Sequence, residues 1–180
     1  MVEVDDHERS RLFERTMLPH LDAAYNLARW LAGNDHDAQD VAQEASLRAF
    51  RFFANFRGEN SRAWLLTIVR NTFYTWLRKN RPREKTVEIT EEALDIEDSS
   101  ANAVAIHPQF ADADAVRRAL AELPVEFREI VVLREMEGFS YKEIAEVAEV
   151  PIGTVMSRLA RARKLLQKRL APEFNPGGQP

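Results

Sequence analysis

The last quarter of the chain contains a cluster of cations with no carboxylate among them. Between residues 150 and 172 every charged side chain is basic: Arg158, Arg161, Arg163, Lys164, Lys168 and Arg169. The whole chain has 25 basic and 29 acidic residues and a net charge of -4, so this stretch is a local feature. A one-sided basic segment in an acidic protein favours the binding of a polyanion, and nucleic acid is the first partner to consider.

The same segment predicts an amphipathic helix. Its apolar residues recur at helical spacing and are expected to face a core; they are Ile152, Val155, Leu159, Ala162 and Leu166. The other face then presents polar, basic and exposed residues, namely Thr154, Met156, Ser157, Arg158, Arg161 and Lys164.

A short helix is predicted just before it, because Ser140 and Glu143 have the spacing of a capping box. Two short helices joined by a tight turn are typical of a helix-turn-helix, whose second helix reads base edges while arginines bind phosphates. The short side chains of Thr154 and Ser157 allow close approach, and Arg161 can donate two hydrogen bonds to a guanine. A solvated basic face is the alternative for an isolated helix.

A second candidate site is the acidic run DAQDVAQE at residues 37–44. Asp37, Asp40 and Glu44 are spaced so that their carboxylates share one helix face. A surface helix offers no pocket for acid–base catalysis. The adjacent His36 is expected to point elsewhere, which argues against a metal site. Docking of a basic partner and a plain solvated face both remain open.

A third candidate site combines aromatic and basic residues in residues 56–64 and the helix that follows. Rings interleaved with arginines suit unstacked bases, and the loop at residues 56–60 could hold one flipped base. Asn71 lies in mid-helix, where its propensity is weak, and this favours a recognition role. The alternative is that Trp64, Phe73 and Trp76 are core residues.

The elements that must position these groups are all predicted to be helical. One apolar face is expected from Leu18, Leu21, Tyr25, Ala28 and Leu31. Pro19 marks a helix start or kink, residues 33–35 a helix stop followed by a cap, and Ser61 the N-cap of a third helix. No strand pattern occurs, so the fold class is all-α.

Composition divides the chain into parts. Two small helical domains are predicted at residues 8–81 and 112–171. The segment between them, 82–111, is acidic and aperiodic and is interpreted as a flexible linker that serves as a spacer or makes a specific contact. The tail at 172–180 is expected to be disordered.

Several classes of function are disfavoured by composition. The chain has no cysteine, which removes disulfides, thiolate metal sites and thiol catalysis. Neither a nucleophile–base pair nor a phosphate-binding glycine loop is visible in the sequence, so we expect no enzyme activity and no cofactor. The charged first residues and the absence of a long apolar run predict a soluble cytoplasmic protein.

Six collinear motifs together resemble the extracytoplasmic-function (ECF) group of bacterial RNA polymerase sigma factors. They are DAQDVAQE (37–44), FRGE (56–59), WLLTIVRNT (64–72), LPVEFR (123–128), GFSYKEIA (138–145) and PIGTVMSR (151–158). The resemblance extends over residues 12–170, with only the linker unmatched.

The resemblance implies a role for each candidate site. The first domain resembles sigma region 2, which docks on the clamp helices of the polymerase β′ subunit; the matching positions are Asp37, Asp40, Gln43 and Glu44. The positions that capture a flipped base of the -10 element are matched by Phe56, Arg57, Gly58, Glu59, Asn60, Ser61, Trp64 and Asn71.

The second domain resembles sigma region 4, whose body sits on the β flap and whose last helix reads the -35 element. Its reading face is matched by Met156, Ser157, Ala160 and Arg161, with Thr154, Arg158 and Lys164 beside it. Ala160 offers a base only a methyl contact. An anti-sigma factor is also expected as a partner.

The sequence thus predicts a sigma factor that binds core polymerase, directs it to promoters and helps to open the duplex. Two other classes remain open: a helix-turn-helix regulator that acts without polymerase, and an adaptor that mimics a sigma factor. The arrangement of the two domains in the free protein is also open.

Overall fold

The computed structural model describes residues 6–80 and 113–170, and every regular element in these two ranges is helical, as predicted. The helices are α1 (Asp6–Met17), α2 (Leu21–Ala32), α3 (Asp35–Phe52), α4 (Ser61–Asn80), α5 (Ala113–Ala121), α6 (Val125–Val131), α7 (Tyr141–Ala148) and α8 (Ile152–Leu170). The predicted linker at 82–111 and the tail at 172–180 lie outside the described residues. Within the described ranges, no helix is long and apolar enough to cross a bilayer.

The first half is a bundle in which α2, α3 and α4 pack against one another and α1 contacts α4. The turn between α2 and α3 follows its sequence signals. Gly33 ends α2 in the left-handed region with φ of 81°, and the side chain of Asn34 accepts a hydrogen bond of 2.9 Å from the amide of Asp37. This turn returns α3 antiparallel to α2.

The core of the first half consists of one face from each of its three main helices. It includes Leu27, Ala28, Leu31, Ala38, Val41, Ala45, Ala49, Leu65, Leu66, Val69 and Phe73. Leu18 is an exception to the predicted apolar face, because it is 56% exposed. It lies in a 3-10 turn, Leu18–His20, that contains Pro19 and separates α1 from α2. The turn breaks the 3.6-residue period, so the expectation that Leu18 faces inward is wrong.

The N-terminus of α4 is capped by Asn60 and not by Ser61. The side chain of Asn60 accepts a hydrogen bond of 3.0 Å from the amide of Ala63, and Ser61 is the first residue of the helix. The hydroxyl of Ser61 instead lies 2.9 Å from Nε2 of His20. Asparagine and serine are both favoured at the N-cap, and Asn60 and Ser61 are adjacent, so the sequence could not decide which of the two caps the helix.

The second half packs α5, α6 and α7 around α8. Its core includes Leu120, Leu123, Phe127, Ile130, Leu133, Ile144, Val147, Val155, Leu159, Ala162 and Leu166. The predicted capping box at the start of α7 is present, with Ser140 accepting from the Glu143 amide and the Glu143 carboxylate accepting from the Ser140 amide. A single residue in the left-handed region, Glu149 with φ of 55°, then turns the chain into α8. The helices α7 and α8 form the predicted helix-turn-helix.

Ile152 does not belong to this core. It is the first residue of α8 and is 50% exposed, so the expectation that it faces inward is wrong. The remaining predicted core positions of α8 are buried. Helical spacing identifies a face of the helix, but the first turn of α8 extends beyond its neighbours, so a residue on that face can still be exposed.

The two halves are packed together, with α7 against α4 and α6 against α2. Arg128 is one connection between them. Its guanidinium donates to the carbonyl of Trp30 at the end of α2, at 3.0 Å, and to carbonyls at the end of α5 and just beyond it, including Leu120 and Leu123. Burial lowers the pKa of Arg128, and the carbonyl oxygens stabilise its charge in place of a carboxylate.

Candidate nucleic-acid interface

The predicted reading face of α8 points to solvent. Met156 is 53% exposed, and Ser157 and Ala160 are also exposed. Thr154, Arg158, Arg161 and Lys164 are half-buried along the sides of the same face. Val155, Leu159 and Ala162 anchor the opposite side of the helix in the core, so the rotation of α8 about its axis is fixed by packing.

Two further cations of α8, Arg163 and Arg169, form ion pairs with residues elsewhere in the second half. Arg163 pairs with Glu135 at 2.8 Å and Arg169 pairs with Glu122 at 3.0 Å, both within the second half. Arg163 and Arg169 therefore help to hold α8 in its bundle. The basic cluster seen in the sequence thus contains two cations that stabilise the domain in addition to those beside the reading face.

The loop before α4 and the first turns of that helix form a cavity of about 300 Å³. It is lined by Asn55, Phe56, Arg57, Glu59, Asn60, Ala63, Trp64, Thr67 and Glu146. Phe56 and Trp64 form one wall, with ring centroids 5.2 Å apart. Phe56 also stacks on the buried ring of Phe53. Aromatic walls and polar rims are the features that hold a flipped base. Gly58, with φ of 87°, gives the loop its turn.

The structure brings most of the predicted base-capture residues to this cavity. Phe56, Arg57, Glu59, Asn60 and Trp64 line it directly. Asn71 does not line it, since Asn71 lies further along α4. One lining residue, Glu146, belongs to α7 of the second half. The second half therefore closes part of the cavity.

Both asparagines of the predicted set donate hydrogen bonds to the second half. Asn60 donates to a carboxylate oxygen of Glu143 at 3.1 Å. Asn71 donates to a carboxylate oxygen of Glu149, the left-handed residue of the helix-turn-helix, at 2.9 Å. The amide groups that the sequence marked for recognition are thus engaged within the chain.

A buried carboxylate, Glu129 of α6, is the centre of the contact between the halves. It is fully buried and pairs with the guanidinium of Arg70 of α4. Tyr74, one turn further along α4, donates its hydroxyl to the other carboxylate oxygen at 3.0 Å.

Burial dominates the titration of this cluster. Desolvation raises the pKa of Glu129 above its usual range, and the charge of Arg70 opposes that shift without cancelling it. Desolvation and the neighbouring carboxylate raise the pKa of Tyr74 as well. Tyr74 therefore stays a hydrogen-bond donor, and the pair of Arg70 and Glu129 contributes most by holding α6 in one position on α4.

A second carboxylate, Glu137, makes a similar contact at the edge of the interface. It follows a π-helical turn, Val132–Met136, at the end of α6, and its side chain is buried. It pairs with Arg62 of α4 and accepts a hydrogen bond of 2.7 Å from Asn26 of α2. Four carboxylates of the second half thus accept hydrogen bonds from α4, its preceding loop or α2.

The acidic face of α3 is exposed, as its spacing predicted. Asp40 and Gln43 face solvent, while Asp37 and Glu44 are half-buried. Glu44 pairs with Arg48 one turn later at 2.7 Å. The expectation that His36 points away is wrong, because its Nδ1 lies 3.7 Å from carboxylate oxygens of both Asp37 and Asp40.

An apolar groove lies beside this acidic face. It has a volume of about 710 Å³ and is lined by residues of α1, α2 and α3, including Phe13, Tyr25, Gln43, Leu47 and Phe50. Leu47 is 55% exposed, although it is a large apolar side chain. An acidic edge next to an apolar groove suits a partner helix with basic and apolar residues.

Sequence reasoning missed the residues that join the halves, namely Arg62, Arg70, Tyr74, Glu129 and Glu137. Glu129 is the clearest of these, because it lies in α6 two residues after Phe127 and directly before Ile130 and Val131, all of which are buried. A carboxylate at an inward position signals a buried partner, but only the tertiary structure identifies Arg70, 59 residues away.

Comparison with known protein families assigns a separate family model to each half of the chain. Residues 17–83 match the family model of sigma-70 region 2, and residues 113–166 match that of sigma-70 region 4. The first match contains the acidic face and the loop cavity, and the second contains the helix-turn-helix.

The relatives that match most of the chain are also RNA polymerase sigma factors. The chain is 36% identical over 170 residues to the RNA polymerase sigma-H factor of Pseudomonas aeruginosa, covering 90% of this chain and 88% of that protein. It is 34% identical to the ECF RNA polymerase sigma-E factor of Escherichia coli, covering 76% of this chain and 75% of that protein. It is 38% identical to the ECF sigma factor SigE of Mycolicibacterium smegmatis, covering 89% of this chain and spanning 62% of the length of that longer protein.

Solved structures match across both halves. The sigma factor RpoE of Bartonella quintana, solved in complex with the anti-sigma factor NepR, is 34% identical with a TM-score of 0.67. The match covers 88% of this chain and 96% of that one. CnrH, solved with the cytosolic domain of CnrY, is 24% identical with a TM-score of 0.64 over 91% of this chain and 90% of that one, and it shares the fold. The chain belongs to the extracytoplasmic-function group of RNA polymerase sigma factors, which direct the polymerase to promoters when transcription begins.

Proposed function

We propose that this sigma factor works through three surfaces on two domains, residues 8–81 and 112–171. The acidic face of α3 binds core polymerase, the loop cavity before α4 captures a base of the -10 element, and the exposed face of α8 reads the -35 element. The cavity of about 300 Å³ carries this proposal, because Phe56, Trp64 and Asn60 converge on it from the loop and helix that the sequence selected.

Core binding is assigned to Asp37, Asp40, Gln43 and Glu44, which would meet the clamp helices of the β′ subunit. The neighbouring apolar groove supports this assignment, because a helix with basic residues beside an apolar stripe could engage both features. The acidic edge would guide the encounter and fix the register, while burial of Leu47 and Phe50 would supply much of the affinity.

Capture of the -10 element is assigned to the cavity and its rim. A flipped base would stack against the aromatic wall that Phe56 and Trp64 form together, in which the ring centroids lie 5.2 Å apart and the planes are tilted by 50°. Asn60 and Ser61 at the helix N-terminus and the backbone at Gly58 would read the polar edge of the base, while Arg57 and Glu59 line the entrance. Asn71 would bind an adjacent nucleotide on the same strand.

Reading of the -35 element is assigned to Met156, Ser157, Ala160 and Arg161, with Thr154, Arg158 and Lys164 beside them. The guanidinium of Arg161 would make a bidentate contact to guanine, and Ala160 would offer a methyl contact to thymine. The body of this domain would sit on the β flap of the polymerase.

The polymerase would supply all the chemistry, so we propose no catalytic residue, metal or cofactor for this chain. We propose a cytoplasmic location for the protein, because promoter DNA and the polymerase of a bacterium are in the cytoplasm. An anti-sigma factor is a further proposed partner, because the Bartonella relative was solved with one.

Run-off transcription with core polymerase and pooled genomic fragments tests the function. We expect transcripts that depend on the added protein and start downstream of one shared pair of sequence elements. Binding to duplex DNA without any polymerase-dependent transcript would contradict the proposal and favour a helix-turn-helix regulator.

The docking assignment has its own test, pull-down of core polymerase by a variant in which Asp40→Lys and Glu44→Lys are combined. Reversal of charge at an interface suppresses encounter and leaves like charges apposed, so we expect assembly to be lost. The matched control combines Glu8→Lys and Asp22→Lys, two exposed acids on α1 and α2 with the same change in net charge. Equal assembly by both variants would contradict the assignment.

A further inference from the structure

The second half of the chain covers the surface that we assign to the -10 element. Glu143 and Glu149 accept hydrogen bonds from Asn60 and Asn71, and Glu146 lines the cavity. A DNA strand presents to a protein the same kinds of group, which are negatively charged oxygens and hydrogen-bond acceptors. The carboxylates of α7 and of the turn after it therefore occupy positions where the chemistry suits DNA.

The reading face of α8 is not covered in this arrangement. Met156, Ser157 and Ala160 are exposed, and the described part of the second half packs on α4 through α7 rather than through this face. The two proposed DNA surfaces are therefore in different states in the same molecule. One is engaged by the chain itself, and the other is open to solvent.

The contact is held by a buried ion pair as well as by surface hydrogen bonds. Glu129 is fully buried between Arg70 and Tyr74, and Glu137 is buried against Arg62 and Asn26. A buried carboxylate without its cation is strongly unfavourable, so these pairs specify one docked position of the second half. The left-handed conformation of Glu149 is consistent with this role. Glycine is the usual residue there, yet the chain keeps a carboxylate that reaches Asn71.

We propose that the free chain is self-inhibited at its -10 surface: the helix-turn-helix domain, held by Glu129 on Arg70 and Tyr74, occupies that surface until it is displaced. The inference rests on the proposed function, because it takes the covered surface to be the one that binds the -10 strand. Duplex binding through α8 does not require displacement. Release of the domain, and not formation of the cavity, then limits single-strand capture.

The test uses the full chain and the variant Arg70→Gln. This change removes a cation next to Asn71, so by electrostatics alone it would weaken DNA binding. By leaving Glu129 buried without its cation, it favours the open form. A double variant, Arg70→Gln with Glu129→Gln, restores a neutral pair that can be buried again and is the matched control.

Opening is measured by energy transfer between dyes on Glu14→Cys and Gln167→Cys. Both positions are exposed on opposite halves, and the chain contains no cysteine of its own. Binding is measured separately, by anisotropy, with a random-sequence single-stranded 20-mer and a random-sequence 20-base-pair duplex. The dye pair reports closure whether or not the covered surface binds DNA.

We expect Arg70→Gln to lower energy transfer and to raise affinity for the single strand by about tenfold, because apparent affinity follows the fraction of open molecules. Duplex affinity should stay within about twofold, and the double variant should return toward the parent in both measurements. Unchanged energy transfer in Arg70→Gln would overturn the proposed lock. Opening with no gain in single-strand affinity would overturn self-inhibition, while the dependence of run-off transcription on the protein would remain the separate test of sigma activity.

Discussion

The two proposed DNA surfaces of this sigma factor differ in their exposure and in their contacts with the rest of the chain. The -35 surface is a single helix face, opposite five buried apolar residues of α8, and its central residues Met156, Ser157 and Ala160 are exposed. The -10 surface is composite, built from a loop, a helix N-terminus and Asn71, and the other domain contacts it. A surface that reads duplex DNA can be local and permanently open. A surface that takes one base out of a duplex needs a pocket. When no base is bound, other hydrogen-bonding groups of the same chain can occupy the polar positions of that pocket.

The largest effect should come from the anchor of the open surface. Leu159→Ala removes a buried side chain from the core of the second half and should reduce the free energy of unfolding of that domain by about 2–5 kcal/mol. Denaturant unfolding followed by helical circular dichroism measures it.

Met156→Ala is the matched control for that change, because Met156 lies on the exposed side of the same helix, 53% exposed. It should change stability by less than about 0.5 kcal/mol and lower duplex affinity instead. Equal losses of stability for both changes would contradict the orientation of α8.

The next effect concerns specificity on the open surface. Arg161→Gln should weaken binding to the preferred -35 duplex by about 1–3 kcal/mol and relax the preference at one base pair. Selection from a duplex library with a randomised -35 element measures both quantities. Arg163→Gln is the control, since Arg163 is paired with Glu135 and should leave the base preference unchanged. A loss of preference in the control, with none in Arg161→Gln, would contradict the assigned reading face.

A smaller effect tests the left-handed turn that positions Glu149 beside Asn71. Glu149 adopts a left-handed conformation that glycine adopts without strain. Glu149→Gly and Glu149→Ala both remove the carboxylate that binds Asn71, but the glycine variant should be more stable by about 1 kcal/mol. Thermal unfolding of the two variants measures the difference. If the alanine variant were the more stable, the left-handed turn between α7 and α8 would be wrong.

The smallest effect is a pH dependence at the cap of α7. Hydrogen bonds from the amide and hydroxyl of Ser140 lower the pKa of Glu143. A lowered carboxyl pKa stabilises the folded state above the ordinary value near 4.5, and this contribution is lost as the pH falls through the lowered value. Glu143→Gln should therefore flatten the acid limb of stability below pH 4.5, measured by denaturant midpoints across pH. An unchanged acid limb would mean that the cap does not titrate as described.

Local features of the fold could be predicted from sequence, and contacts between distant residues could not. The stop at Gly33, the cap at Asn34 and the capping box at Ser140 depend on neighbours within a few residues, and the structure contains all three. The misassigned positions Leu18 and Ile152 lie at helix ends, where a periodic pattern no longer determines burial.

The candidate sites show the same division. Phe56, Trp64 and Asn60 could be selected as candidate base-capture residues because they lie in one short stretch where rings are interleaved with arginines, and because this stretch resembles a family motif. The role of Arg70 could not be foreseen, since its partner Glu129 is 59 residues away and lies beyond a segment that has no periodic pattern. A polar residue at an inward helix position predicts that a partner exists, and only the packing of the domains selects it.

The most direct test of the covered -10 surface is the reactivity of a thiol placed inside it. Thr67 lines the cavity together with Glu146, and Thr67→Cys is a small change in a chain with no other cysteine. Ala160→Cys on the exposed face of α8 serves as the reference. The maleimide reaction rate of each is measured in the free chain and again in the complex with core polymerase, without DNA.

Self-coverage predicts that the Thr67→Cys thiol reacts slowly in the free chain and at least about tenfold faster once polymerase holds the two domains apart, in proportion to the open fraction. The Ala160→Cys thiol should react fast in the free chain. Equal rates for Thr67→Cys in the free chain and in the complex would contradict the claim that the helix-turn-helix domain covers the -10 surface.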